Sequence, residues 1–176
     1  MSNEKHKQLK TNSYLVFKMI NEYFAINVGK VISILEMQKI TEVPEAPAYM
    51  KGVINLRGEV LPVVDSHVKF GFNKPIEITM HTGILVLEVI SDSDEVIRLG
   101  LIVDLVEEVI QIQAKDILPP PGIGSTYQSR YITGMFQKNN KDFIMILNID
   151  KILTVDEIGK LIVNEEKPAE LIDNLQ

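Results

Sequence analysis

The chain contains no cysteine. That excludes a disulfide framework, a thiolate zinc site and a cysteine nucleophile. It also lacks any apolar run of the ~18 residues a membrane helix requires; its longest apolar stretches are strand-sized, as in Ile84–Ile90, which Glu88 interrupts. Histidine is sparse: His6, His67 and His81 stand far apart, in neither an H-x-x-x-H nor an H-E-x-x-H spacing, so no metal site is expected. Clustered basic charge is missing too. The formal charge is -6, and only Lys5, Lys7 and Lys10 sit close together, in a polar N-terminal stretch with no signal-peptide core. A nucleic-acid partner needs a basic stripe to neutralise phosphates, so none is expected.

Catalytic motifs are absent in the same way. There is no G-x-S-x-G elbow. Gly122-Ile123-Gly124-Ser125-Thr126 lacks the lysine and the leading strand of a phosphate loop. Asp92, Asp94 and Glu95 lack the glycine and closing glutamate of a calcium loop and read as a solvated hairpin tip. Asp104, Glu107 and Glu108 read as solvated carboxylates on a short surface helix. No catalytic residue and no cofactor are expected, and the reading points to binding.

What is present is a β-rich chain. With 45% hydrophobic and 24% charged residues it has the balance of a globular domain. Tyr14–Ile20 and Tyr23–Asn27 form a hairpin through a turn at Asn21-Glu22, with Leu15, Phe17 and Met19 on one face. Further hairpins flank Gly58, the 91–95 turn and Asn139-Asn140. An internal repeat runs through these elements. Ile26-x-Val28-x-x-Val31-x-x-Ile34 matches Leu101-x-Val103-x-x-Val106-x-x-Val109 at an offset of about 75 residues, and Tyr49–Val53 matches Tyr131–Met135 and Val63-Val64-Asp65 matches Ile146-Leu147-Asn148 at about 82. The spacing of three suggests one face of a short helix in each unit. Gly52 and Gly134 occupy equivalent places where a bulge or close backbone approach is expected.

The duplication predicts two similar small barrels with a cleft between them. The expected division is a disordered tail over 1–12, one domain over 13–153 with lobes at 22–80 and 84–153, the 14–20 strand being of uncertain allegiance, and a helical tail over 154–176. That tail carries a capping pattern at Thr154-x-x-Glu157 and an apolar stripe at Ile158, Leu161 and Ile162.

The stretch Tyr49-Met50-Lys51-Gly52-Val53-Ile54-Asn55-Leu56-Arg57-Gly58-Glu59-Val60-Leu61-Pro62-Val63-Val64-Asp65 resembles the signature of CheW-like domains. Glu22-Tyr23, Val43-Pro44, Gly100–Asp104 and Tyr131–Gly134 resemble the same family, so the likeness runs from about Tyr14 to Leu153. It implies an all-β fold of two SH3-like five-stranded barrels on a shared hydrophobic seam, with short helical turns and a C-terminal helix. It implies a non-catalytic cytoplasmic adaptor that links the cytoplasmic tips of chemoreceptors to the regulatory domain of the histidine kinase CheA. Such an adaptor would be monomeric alone and assembled with its partners into membrane-associated arrays, with no membrane insertion of its own. By the same resemblance the partner contacts fall at Val31, Asn55, Arg57, Gly58, Gly100, Val106 and Val109. For Arg57 an internal clamp on a carboxylate is the alternative; for the valines it is core packing. Ser33 stands where family members often carry Glu, and Ser66-His67 where they carry Leu-Arg, departures that suggest retuned partners. The tail after the second repeat is too short for a receiver domain or a kinase core, so a standalone adaptor is expected. A module serving another pathway on the same fold is the runner-up.

Overall fold

The computed structural model describes residues 12–120, 128–153 and 157. The expected helical tail and the 122–126 loop lie outside them, apart from Glu157. The strands are β1 (Ser13–Met19), β2 (Glu22–Asn27), β3 (Val31–Glu36), β4 (Met50–Leu56), β5 (Glu59–Asp65), β6 (Gly83–Ile90), β7 (Val96–Val103), β8 (Leu105–Gln111), β9 (Ile132–Gln137) and β10 (Phe143–Leu147). They form two five-stranded sheets, ordered β8-β1-β2-β10-β9 and β3-β6-β7-β5-β4. Each sheet closes on itself. Beyond β8 the chain pairs Leu118 with Met135 of β9, and beyond β3 it pairs Thr41 with Val53 of β4. Closure removes the free sheet edges that would otherwise template aggregation.

The repeat is present, position for position. The first sheet superposes its order on the second as β8 on β3, β1 on β6, β2 on β7, β10 on β5 and β9 on β4. The parallel pairs match as well: Ile146 lies beside Ala25, and Val63 beside Gly100. The lobes, however, do not divide near residue 80. Hairpin β1–β2 completes the barrel built from β8, β9 and β10, while hairpin β6–β7 completes the one built from β3, β4 and β5. The crossovers fall at two short links: Val28–Lys30, one 3-10 turn, separates β2 from β3, and Asp104 alone separates β7 from β8. After each of them the chain continues in the other barrel.

This exchange explains the apolar runs. Alternate residues of a strand face opposite ways. On β1, Val16 fills the first barrel while Leu15, Phe17 and Met19 face the seam. On β6, Ile84 and Val86 fill the second barrel while Leu85, Leu87 and Val89 face the seam. Both faces are buried, so these strands read as near-continuous hydrophobic sequence. The seam holds the largest buried cluster, and the two hairpins pack across it.

Two local expectations need correction. The β1–β2 turn is Ile20-Asn21, with φ of 49° and 62°, rather than Asn21-Glu22, since Glu22 already pairs with Met19. The spacing of three follows a 3-10 turn only from Val28 to Val31; from Val31 to Ile34 and from Val106 to Val109 it is not helical. Val31 pairs with Leu87 and Ile34 with Leu85, across a register shift between Val31 and Ser33. Val106 pairs with Phe17 and Val109 with Leu15, with a shift at Val16/Phe17. A bulge adds one residue to the normal strand period of two, so residues three apart share a face. Glu107 and Glu108 therefore lie on a strand. Gly52 and Gly134 do sit at close backbone approaches, beside Thr41 and beside Ile117 and Leu118.

At the seam, Tyr49 packs with its hydroxyl buried and without a hydrogen-bond partner. Lys69 lies over its ring at 4.6 Å and pairs with Glu157. Burial, helped by the nearby charge of Glu157, pushes the phenol up to about 12. The protonated phenol is the neutral form, so the unfolded chain releases this proton first, near pH ~10. The stability contributed is therefore whole below pH ~10 and is lost as the pH climbs toward 12. Absorbance at 295 nm is expected to reveal one late tyrosine step, absent from Tyr49→Phe.

Candidate functional site: an aliphatic rim on the seam and a hairpin tip

The seven residues nominated from the sequence fall into three places. Val31 on β3 and Val106 on β8 are half-buried against the seam cluster. Each is followed, three residues on and on the same face, by an aliphatic side chain that reaches water: Ile34 is 49% exposed and Val109 57%. Gly83 marks how closely the two strands approach. A Cβ there would lie 3.3 Å from the Val106 side chain and 3.5 Å from the Leu35 carbonyl. The core-packing alternative thus describes Val31 and Val106 in part, and Val109 not at all. Ile34 was visible in the repeat but was not nominated; its exposure follows from strand pairing rather than from residue type.

Asn55, Arg57 and Gly58 form the β4–β5 turn. Arg57 and Gly58 have φ of 52° and 84°, the primed geometry that matches strand twist. The Asn55 side-chain oxygen accepts the Gly58 N–H at 2.9 Å, which explains the asparagine. Arg57 is exposed, and its guanidinium makes no ion pair or hydrogen bond among the described residues, so no carboxylate holds it as an internal clamp. Val60 is exposed on the same hairpin.

Gly100 belongs to neither surface. It is buried in the middle of β7, and a Cβ would sit 2.8 Å from Ile84 and 3.4 Å from Val63. Its place in the motif reflects packing inside the second barrel, so it is not a residue a partner can touch.

The structure also assembles a site that sequence reading missed. Asp104, the single residue linking β7 to β8, accepts the Ile20 N–H at 2.7 Å and the His67 Nε2 at 2.8 Å through one oxygen. It thus ties the first barrel's strained turn to the helical turn Ser66–Lys69 of the second. The repeat supplies a counterpart: Asp150 accepts the Ile90 N–H at 2.9 Å and pairs with Lys30 at 2.8 Å. Ile20 and Ile90 are equivalent turn positions, and His67 and Asp150 are equivalent in the repeat. In both barrels an aspartate thus holds the turn N–H, but from non-equivalent places: Asp104 in the β7–β8 link, and Asp150 at the repeat equivalent of His67. His67 and Ser66, the two departures from the family pattern, are buried, and the Ser66 hydroxyl and His67 Nδ1 have no hydrogen-bond partner among the described residues. Ser33 is half-buried opposite Val86, and Glu36 is exposed at the end of β3.

Among the described residues no group of three or more His, Cys, Asp or Glu side chains is placed to hold a metal. No described helix is long and apolar enough to cross a membrane. Two closed barrels with aliphatic side chains left in water at the rim of their seam, and an exposed hairpin tip carrying Arg57, define a protein-binding scaffold. The chain belongs to the CheW-like domain family, which it matches over residues 13–157. It is 32% identical over 143 residues to the chemotaxis protein CheW of Rhizobium meliloti, covering 81% of this chain and 88% of that one. It is 29% identical to the chemotaxis protein CheW of Treponema pallidum, covering 84% and 85%. The crystal structure of the scaffolding protein TtCheW from Thermoanaerobacter tengcongensis superposes with a TM-score of 0.71 at 28% identity, covering 84% of this chain and 95% of that one.

Proposed function

We propose that this protein is a non-catalytic chemotaxis adaptor that couples the cytoplasmic tips of chemoreceptors to the regulatory domain of the CheA histidine kinase. It would act in the cytoplasm and be recruited to membrane-associated receptor arrays. The observation that carries the reading is the rim. Ile34 and Val109 occupy equivalent positions on two barrels, each pairing with a fully seam-facing residue, yet both are open to water. A receptor tip is a helical hairpin, and an apolar helix face laid along such a rim would complete the burial the seam leaves unfinished. Val31, Ile34, Val106 and Val109 are the residues we assign to that contact.

Asn55, Arg57 and Gly58, with Val60, form a separate tip suited to barrel-against-barrel contact with the kinase. Arginine and a central aliphatic side chain are typical of interface hot spots. The two surfaces lie on different strands, as simultaneous binding of two partners requires. Arg57→Asp is expected to weaken receptor-driven kinase activation while leaving the melting temperature nearly unchanged, because aspartate tolerates the left-handed conformation found there. Kinase assays in reconstituted arrays, read beside thermal unfolding, test this. A large drop in melting temperature would return Arg57 to a structural role.

A further inference from the structure

The seam also borders an apolar cavity of about 180 Å³ that the adaptor reading does not use. None of the four rim residues lines it. Its lining includes the buried Phe24 and Leu147 and the half-buried Phe70, Phe72, Tyr131 and Met145, all part of the seam cluster or packed on it. The Phe70 and Tyr131 rings meet edge to face, with centroids 5.3 Å apart. Glu22 is the single charged residue at its border. A recess with this lining takes apolar side chains rather than a polar ligand.

An ion pair beside the cavity says what can reach it. Lys69 directly precedes Phe70, and its side chain is only 5% exposed. A cation so far from water requires partners. The Tyr49 ring lies 4.6 Å from its ammonium, and the Glu157 carboxylate pairs with it. Glu157 is therefore anchored next to a residue that lines the cavity. From there the chain runs on through residues 158–176. The first apolar residues it offers are Ile158, Leu161 and Ile162, at the spacing of one helix face and directly after the Thr154-x-x-Glu157 capping pattern. As a helix the stretch from Glu157 to Ile162 rises only about 7.5 Å, so all three side chains stay near the anchor.

We propose that this cavity is the docking site of the chain's own residues 158–162, with Ile158, Leu161 and Ile162 covering Phe70, Phe72, Tyr131 and Met145. The Lys69–Glu157 pair is the clasp of this intramolecular strap. A segment tethered so close reaches an effective concentration in the millimolar range, which a free partner has to exceed. The strap removes from water an apolar surface that would otherwise compete with the rim for partner helices.

The test uses the full chain with neither chemoreceptor nor kinase, so its outcome is separate from that of the adaptor reading. In NMR spectra, Leu161→Asp is expected to move the Met145 methyl signal and the Phe70 and Phe72 amide signals. Lys160→Asp, which alters the opposite face of the same helical turn, leaves them in place. The cysteine-free chain allows a second measurement. Leu161→Cys combined with Phe72→Cys is expected to close a disulfide at least about tenfold faster than Lys160→Cys combined with Phe72→Cys. Signals that ignore Leu161→Asp, equal shifts from the two aspartate variants, or equal cross-linking rates would overturn the proposal. Cavity signals that move with protein concentration would assign the site to a second copy and overturn it as well.

Discussion

Asp65→Ala is expected to cost about 3–6 kcal/mol of stability, from two buried donors and one part-buried donor at roughly 1–3 kcal/mol each with some relaxation. Asp65 ends β5 and is 2% exposed. One carboxylate oxygen accepts the His67 and Val68 N–H groups at 2.9 and 3.2 Å, capping the helical turn Ser66–Lys69. The other accepts the Ile76 N–H at 3.1 Å, eleven residues away, and pins the returning loop to the second barrel. Alanine leaves all three donors without this acceptor, two of them buried away from water. In a chain of this size the loss corresponds to a fall in melting temperature of roughly 10 °C or more. The repeat supplies a milder comparison. Asn148 takes the equivalent place in the first barrel and caps its own turn through Asp150 N–H. Asp65→Asn keeps one acceptor for the helical turn and loses the bond to Ile76, so it should cost about a third to a half as much. Urea unfolding of both variants checks the order.

Gly52→Ala is expected to be of similar severity, roughly 3–6 kcal/mol, from backbone strain, overpacking and lost hydrogen bonds together. Its φ is 152°, and a Cβ would lie 2.2 Å from the Thr41 carbonyl oxygen. That oxygen accepts the Val53 N–H at 2.8 Å, and the Thr41 N–H donates back to Val53 at 2.9 Å. These two bonds close the second barrel. The intruding methyl group meets backbone, which cannot rotate aside, so the closing segment must move away. Gly134, the counterpart in the first barrel, has a softer neighbourhood: its nearest contact is the Ile117 side chain at 2.5 Å, with the Leu118 carbonyl at 3.1 Å. Gly134→Ala should be clearly less costly. Equal losses at both positions would contradict the argument from backbone contact.

These two residues also mark where the sequence was legible. Gly52 and Gly134 could be singled out because a repeat offers each feature twice, and a glycine retained at both places signals a backbone requirement. The hairpins and the double-faced strands were equally readable, because buried strands leave long apolar runs. The exchange of hairpins between barrels was not readable. A repeat gives which segments correspond but not which barrel each one joins. The spacing of three misled because a bulged strand and a helical turn place apolar residues at the same interval. Gly100 was drawn into the candidate site because a motif records what a fold needs together with what a partner touches. The junction of His67 with Asp104 spans 37 residues and depends on packing that periodicity does not encode.

The central claim is that one folded chain carries separate surfaces for two partners. The most direct measurement is calorimetric titration of the intact protein with a chemoreceptor-tip fragment and, separately, with the isolated regulatory domain of a cognate CheA, each repeated with Val109→Asp and Arg57→Asp. The account predicts that the wild-type chain binds both. Val109→Asp should weaken the receptor fragment about tenfold or more and spare the kinase domain, and Arg57→Asp should do the reverse. A folded protein that binds neither partner, or variants that weaken both equally, would contradict it.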